Sequence, residues 1–148
     1  DDGGLHDKDS KYSWYNPTVE NKGTFRSYEY QKWCSGSSCD TFGFVNAVND
    51  ERLCGLNEWR LPEKEELITL VYCSDGKYDD DDGECSSYQK VERPTINRKY
   101  FAFTRDNSYW TATQNPFGGA FYVGFDEGIG YSGSKSSGSF VRLVHDGK

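Results

Sequence analysis

Residues 54–70 run Cys-Gly-Leu-Asn-Glu-Trp-Arg-Leu-Pro-Glu-Lys-Glu-Glu-Leu-Ile-Thr-Leu, a stretch that predicts the end of one helix and the start of another. Gly55 is able to adopt the left-handed conformation that ends a helix, and Pro62 suits the first turn of the next, where its missing N–H costs nothing. Acidic residues follow where the helix dipole favours them, and apolar residues recur from Leu67 along one helical face. We therefore expect a second helix from Pro62 to about Tyr72.

A first helix is predicted upstream of this stretch. Asp40 or Thr41 provides its N-cap, and the pattern continues to about Leu53. Its apolar residues share one helical face and are expected to point inward: Phe44, Val45, Val48 and Leu53.

Strands are expected near the two ends of the chain, separated by glycine-rich connections. The predicted strands are Lys11–Tyr15, Tyr109–Thr113, Phe121–Phe125 and Phe140–His145, and Pro94–Ile96 is predicted to be extended. The Gly/Ser-rich stretch Gly128–Gly138 is predicted to be a mobile loop. Two early helices followed by antiparallel strands indicate an α+β fold.

Several motifs follow one another in a fixed order along the chain. After Cys-Gly-x-x-x-Trp-Arg-Leu-Pro-x-x-x-Glu-Leu come Tyr-Trp-Thr-Ala-Thr at 109–113, Ala-Phe-Tyr-Val-Gly-Phe at 120–125 and Val-Arg-Leu-Val at 141–144. This set resembles the Lcl C-terminal domain family, bacterial surface modules named after the C-terminal domain of a collagen-like adhesin. The resemblance spans roughly Lys8 to Val144, although Thr-Ala replaces the family's Ser-Ser after Trp110 and His145 stands where the family usually has Arg.

The resemblance implies a C-type-lectin-like fold, in which the terminal strands pair and a long loop region forms the ligand face. It also implies a module that is secreted or displayed on a bacterial cell surface. Its expected partners are a polysaccharide or surface glycan, together with self-association; the adhesin that names the family is implicated in glycosaminoglycan binding. The length of 148 residues suits one domain over 1–148, with residues 1–10 as a lead-in segment.

Charge and composition exclude several classes of partner. The formal net charge is −7 and there is no basic stripe, which argues against nucleic acid and against simple electrostatic capture of sulfated polymers. We find no run of about 18 apolar residues, so membrane insertion is not expected. Although only 34% of residues are hydrophobic, 11 Tyr, 9 Phe and 4 Trp provide aromatic volume for a core.

Five cysteines, at positions 34, 39, 54, 73 and 85, predict an oxidising compartment with one thiol left over. Cys73 and Cys85 bracket an acidic loop and are predicted to form a disulfide. Cys34 can pair with Cys39, which leaves Cys54 free; the competing pair is Cys34 with Cys54, which leaves Cys39 free. A cytosolic chain with every thiol reduced is the remaining alternative.

The acidic loop has two interpretations. Clustered carboxylates supply the oxygen ligands that Ca²⁺ prefers, and the candidate ligands are Asp79, Asp80, Asp82 and Glu84. However, the spacing fits an EF-hand poorly, and solvated, mutually repelling acids are the default interpretation. Calcium is the one cofactor that the sequence brings into consideration.

Aromatic and amide residues near the late strands are the candidate ligand-binding residues. Flat rings pack on the C–H faces of sugars while amides and hydroxyls bond their hydroxyl groups. The candidates lie in predicted loops: Asn107, Tyr109, Gln114, Asn115, Phe117, Tyr131 and Lys135. Ordinary surface loops are the alternative interpretation.

Other residues are assigned structural roles or none. Trp59-Arg60-Leu61-Pro62 is predicted to be a buried structural segment, in which Arg60 pairs with carbonyls or a carboxylate, and Trp110 and Arg142 are assigned to the core. No catalytic motif is present, so an enzyme is not expected. The sequence thus predicts a binding module, with a structural subunit of a pilus or fibre as the alternative.

Overall fold

A computed structural model of the chain describes residues 12–13, 25–26, 33–34, 40–79, 84–85 and 91–147. These residues form two compact units: the first includes the described residues up to Pro62 and from Ser134 onward, and the second is Glu63–Gly133. The helices are α1 (Thr41–Asp50) and α2 (Lys64–Ile68), with a 3-10 turn at Leu53–Gly55. The strands within the described residues are β1 (Tyr12–Ser13), β2 (Phe25–Arg26), β3 (Trp33–Cys34), β4 (Tyr78–Asp79), β5 (Glu84–Cys85), β6 (Ser108–Gln114), β7 (Ala120–Gly124), β8 (Ile129–Gly133) and β9 (Gly138–Ser139).

Helices together with antiparallel strand pairs confirm the α+β class. In the first unit β1 pairs with β9 and β2 pairs with β3, both antiparallel. The second unit contains the β4–β5 pair and the three-stranded sheet β6-β7-β8. The prediction of a single domain over 1–148 remains a prediction.

Helix α1 begins where the sequence predicts. The carboxylate of Asp40 accepts a 2.8 Å hydrogen bond from the Gly43 N–H, and both Phe44 and Val48 are buried. The helix ends at Asp50, earlier than expected, because Arg52 adopts the left-handed conformation with φ 52°. Leu53 follows this break and is 49% exposed, so the prediction that it points inward is wrong.

Residues Trp59 to Pro62 follow the 3-10 turn and are joined by hydrogen bonds to α1 and to the segment around Val144. The Asn49 side chain exchanges two hydrogen bonds with the Trp59 backbone, of 2.7 and 2.9 Å. Arg60 and Val144 form an isolated antiparallel bridge. Leu61 and Pro62 are buried, as predicted, whereas Trp59 and Arg60 are only half-buried.

The predicted strand Phe140–His145 is not formed. Within that range Phe140 and Val144 take part in isolated bridges, and strand β9, Gly138–Ser139, directly precedes Phe140. Phe140 and Val141 are buried, so the apolar character of this segment reflects packing in the core.

Helix α2 is shorter than predicted at both ends. It begins at Lys64 after the N-cap Glu63, whose N–H donates to the Glu66 carboxylate at 2.7 Å. It stops at Ile68 because the Thr69 hydroxyl donates to the Glu66 carbonyl and Val71 forms a bridge with Ile96. The bridge agrees with the extended conformation predicted for Pro94–Ile96.

The sheet of the second unit is an antiparallel meander. Strands β6 and β7 form largely where the sequence predicts them, with Trp110 opposite Tyr122. Strand β8 pairs along its whole length with β7, from Gly133 opposite Ala120 to Ile129 opposite Gly124. The prediction of a mobile loop from Gly128 to Gly138 is therefore wrong over β8.

The N-terminus of α2 is fastened to β6 through one hydroxyl. Thr113 Oγ1 donates to a carboxylate oxygen of Glu63 at 2.6 Å and accepts the Lys64 N–H at 2.9 Å. The Lys64 ammonium lies 4.8 Å from the centre of the Phe121 ring, on the neighbouring strand β7. The helix therefore has a fixed position on the sheet.

The predicted disulfide between Cys73 and Cys85 is present, with a Cα–Cα distance of 5.5 Å. Both cysteines are buried in a small apolar cluster with Val91. Cys54 is a free, exposed thiol, which contradicts the competing Cys34–Cys54 pair. Cys39 lies outside the described residues, as does the proposed pairing of Cys34 with it.

Gly128 packs against this disulfide, and we expect Gly128→Ala to lower the free energy of unfolding by about 3 kcal/mol. Its φ is +75°, and an added Cβ would lie 2.9 Å from both Cys85 Sγ and Val71 Cγ1. The matched control is Gly118→Ala, because Gly118 also has a positive φ, of +95°, but no atom within 4 Å of the added Cβ. In a urea titration, Gly118→Ala should lower the free energy of unfolding by only about 1 kcal/mol. Equal losses of stability in the two variants would contradict the packing role of Gly128.

Candidate functional site

The turn between β6 and β7 is the part of the sheet that most resembles a ligand-contacting surface. Asn115 Oδ1 accepts the Phe117 N–H at 2.8 Å, and the Asn115 carbonyl accepts the Gly118 N–H at 3.0 Å. Pro116 and the positive φ of Gly118 suit such a turn. The backbone of the turn is thus fixed, while the Phe117 side chain is 96% exposed.

Polar groups of β8 lie next to this turn. The Asn115 amide donates to the Ser132 hydroxyl at 2.7 Å. An added Cβ on Gly119 would meet the Gly133 carbonyl oxygen at 2.6 Å, so the ends of β7 and β8 approach closely only because glycine stands there. The turn and the end of β8 therefore form one continuous surface.

Aromatic rings continue from this surface across the sheet. The Tyr131 ring lies 5.8 Å from the Tyr122 ring, which meets Trp110 edge-on at 5.6 Å. The Tyr131 hydroxyl donates to the Glu127 carboxylate, and the Tyr131 side chain is 37% exposed. Tyr131 therefore offers a partly exposed ring held in one orientation.

The structure separates the predicted ligand residues. Gln114, Asn115 and Phe117 lie at one end of β6, whereas Asn107 lies at the other, about 20 Å away for a strand of this length. Asn107 accepts the Ser108 N–H with its own side chain. A small ligand cannot contact both ends of β6 at once.

Tyr109 was predicted as the first residue of a strand and also grouped with the loop candidates, and the structure places it in the strand. It lies in β6, is 4% exposed, and meets Phe125 edge-on at 5.4 Å. Its hydroxyl accepts the Arg105 N–H at 2.9 Å. Lys135, the last of the predicted ligand residues, belongs to the first unit and is half-buried.

Two acidic residues, Asp106 before β6 and Asp126 after β7, lie near the start of β6. Burial raises the pKa of Asp106; the nearby Arg93 opposes the shift and the negative charge of Asp126 adds to it. The Asp106 residue as a whole remains exposed. We assign no ligand role to this end of the strand.

The calcium prediction falls mostly outside the described residues. Asp79 and Glu84 are opposite one another in the β4–β5 pair, whereas Asp80 and Asp82 are not described. Across the described residues no group of three or more His, Cys, Asp or Glu side chains is arranged to hold a metal ion.

Arg60 has the structural role that the sequence indicates, although it is less buried than expected. Its guanidinium donates to the Asp146 carboxylate at 2.6 Å and to the Leu61 carbonyl at 3.2 Å. The two ionic side chains are 38% and 64% exposed, so the pair contributes little to stability. Trp110 is fully buried, as predicted.

The sequence interpretation missed a cleft on the second unit. Its volume is about 210 Å³, and it is lined by Tyr72, Ser74, Glu92, Pro94, Ile96, Asn97, Arg98 and Lys99. The run Asn97-Arg98-Lys99-Tyr100 could have indicated this cleft from the sequence. It places an amide, two cations and an aromatic residue directly after the predicted extended segment Pro94–Ile96.

Comparison with known proteins gives one family match. The model of the Lcl C-terminal domain matches residues 3–145, nearly the whole chain. The chain belongs to the Lcl C-terminal domain family. No curated protein and no solved structure is significantly similar to it.

The family match covers residues of both compact units of this Lcl C-terminal domain. Family membership and the Cys73–Cys85 disulfide are compatible with an extracellular domain. Among the described residues, none of the helices has the length and apolar character needed to cross a membrane.

Proposed function

We propose that this Lcl C-terminal domain is a non-catalytic bacterial module, secreted or displayed on the cell surface, that binds an extracellular polysaccharide through the β6–β7 turn. The observation that carries the proposal is Phe117, which is 96% exposed on a turn whose backbone is fixed by hydrogen bonds. An apolar ring on a rigid turn gains free energy when a ligand covers it and loses little conformational entropy.

The neighbouring groups suit a sugar polymer. Asn115 and Ser132 present an amide and a hydroxyl beside Phe117, and Gln114 is exposed at the end of β6. Such groups bond sugar hydroxyls while a ring packs on a C–H face. The net charge of −7 disfavours a densely sulfated ligand.

A C-type-lectin-like fold is part of the proposal. It is supported by the pairing of β1 with β9, strands close to the two ends of the described chain, and by the late position of the antiparallel sheet.

The two ring nitrogens of His145 are both engaged in hydrogen bonds. Nδ1 accepts the Gly147 N–H, so Nε2 carries the proton and donates to the Asn57 carbonyl. A ring held in this way supports a structural rather than an acid–base role.

The test is a glycan array probed with and without calcium, followed by titration of each polymer that binds. Phe117→Ala should weaken binding roughly thirtyfold, the effect of losing about 2 kcal/mol at a central contact. The matched control is Phe103→Ala, because Phe103 is also strongly exposed, at 82%, but lies outside the turn. Equal losses in the two variants, or binding unchanged by Phe117→Ala, would contradict the proposed surface.

A subunit of an extracellular assembly is the second candidate, and one feature of the first unit favours it. Phe42, Leu53 and Leu56 are 44%, 49% and 38% exposed, and the free thiol of Cys54 lies among them in the sequence. Exposed apolar side chains are used in subunit contacts. An array without hits, together with oligomers whose population rises with protein concentration, would favour this role.

A further inference from the structure

We propose that the cleft beside the Cys73–Cys85 disulfide is a second saccharide site, specific for a sugar unit that carries a carboxylate. The inference takes its ligand class, saccharide, from the proposed function, but it does not depend on Phe117 or the β6–β7 turn. The cleft lies wholly within the second unit.

The walls of the cleft are held in place by the backbone. The Tyr72 N–H donates to the Thr95 carbonyl at 2.9 Å, next to the bridge between Val71 and Ile96. Thr95 is itself anchored, since its N–H and its hydroxyl both donate to the Phe125 carbonyl, at 2.6 and 2.8 Å. One wall is therefore tied to the segment that directly follows β7.

Further contacts fix the rim. The Glu92 N–H donates to the Ser74 hydroxyl oxygen at 2.7 Å, which connects the chain after Cys73 to the chain before Pro94. The Asn97 carbonyl accepts the N–H groups of Tyr100 and Phe101, and its side-chain oxygen accepts the Lys99 N–H. A cleft with a fixed shape binds without the cost of ordering its walls.

The lining offers mostly hydrogen-bond donors. Arg98 and Lys99 form no ion pair within the described residues. Ser74 uses its oxygen as an acceptor and keeps its hydroxyl proton, and the Asn97 amide N–H₂ is not engaged by any described residue. Two cations against the single carboxylate of Glu92 leave the cleft net positive in a chain whose net charge is −7.

These groups match an acidic sugar better than a simple anion. The Tyr72 side chain is 51% exposed and provides a ring for a sugar face. Arg98 is suited to a bidentate contact with a carboxylate, whereas Glu92 needs a ligand that also donates hydrogen bonds, as sugar hydroxyls do. The volume of about 210 Å³ is below the range of roughly 300–1,000 Å³ for drug-sized pockets, so it suits one sugar ring.

The test is a titration of the isotope-labelled chain with glucuronate, followed by amide NMR, with glucose as the uncharged match. We expect glucuronate to shift the amides of Tyr72, Asn97 and Arg98 at millimolar concentration, and glucose to bind about tenfold more weakly. Raising the salt concentration should weaken glucuronate binding and leave glucose binding unchanged.

Substitutions in the cleft test whether glucuronate binds there. Arg98→Gln should weaken glucuronate binding about tenfold, Arg98→Lys should weaken it less, and Tyr72→Ala should weaken both sugars. Arg52→Gln is the control, because it removes an exposed positive charge from the first unit.

The outcomes separate this inference from the proposed function. No glucuronate binding at millimolar concentration, equal binding of glucose and glucuronate, or preference for an acidic peptide would overturn the carboxylate-sugar site. An array hit that is lost in Phe117→Ala but kept in Arg98→Gln would support the β6–β7 turn alone. Glucuronate binding without any array hit would support the cleft and contradict polymer binding through the turn.

Discussion

Trp110→Ala is expected to lower the free energy of unfolding by about 4 kcal/mol, the largest effect of any single substitution considered for this domain. Trp110 is 0% exposed in the central part of β6 and meets Tyr122 edge-on at 5.6 Å. Truncation removes the buried ring and leaves a cavity that the hydrogen-bonded sheet is unable to close. Chemical unfolding followed by far-UV circular dichroism measures the loss without relying on tryptophan fluorescence.

The control for Trp110→Ala is Phe117→Ala in the same hairpin. Phe117 is 96% exposed, so its truncation should change stability by less than about 0.5 kcal/mol. Trp110→Phe keeps part of the ring volume and should fall between the two. A loss below about 1 kcal/mol for Trp110→Ala would show that the interior of the sheet is not packed around this residue.

Removal of the Cys73–Cys85 disulfide is expected to cost about 3 kcal/mol, because the crosslink restricts the unfolded chain. The two cysteines are 12 residues apart in sequence, and both lie in the cluster with Val91. The double substitution Cys73→Ser with Cys85→Ser avoids an unpaired thiol. Urea unfolding of this variant and of the original chain gives the difference directly.

Cys54→Ser is the matched control for the disulfide. Cys54 is exposed and free, so its hydroxyl analogue should unfold within about 0.5 kcal/mol of the original chain. If the double variant also stays within that margin, the loop between Cys73 and Cys85 is ordered by other contacts, and the crosslink contributes nothing measurable.

Local patterns predicted the start of α1 and two strands of the sheet, and tertiary contacts decided the rest. The Asp40 cap and the strand around Trp110 were visible in the sequence because capping and strand propensity act over a few residues. β8 was missed since Ile-Gly-Tyr-Ser-Gly has little strand propensity. One of its two glycines, Gly133, is required by packing, because an added Cβ would lie 3.1 Å from the Tyr122 ring.

Part of the candidate site was also predictable, because a turn depends on residues that are close in sequence. The turn at Asn115 and Phe117 follows from Pro and Gly at fixed offsets, which sequence shows directly. Tyr109 was misplaced because all three residues from Tyr109 to Thr111 are buried, which alternation alone does not indicate. The cleft joins residues near Tyr72 to residues near Arg98, and tertiary contacts such as the bridge between Val71 and Ile96 bring them together.

The pairing of β1 with β9 has a consequence for how the chain folds. The turns of the β6-β7-β8 meander close over four or five residues, whereas roughly 120 residues separate Ser13 from Gly138. Loop-closure entropy rises with the logarithm of length, so joining β1 to β9 costs about 3 kcal/mol more than closing such a turn. A ladder of two residues does not recover that cost, and this contact between distant parts of the chain persists only while the intervening sequence is folded.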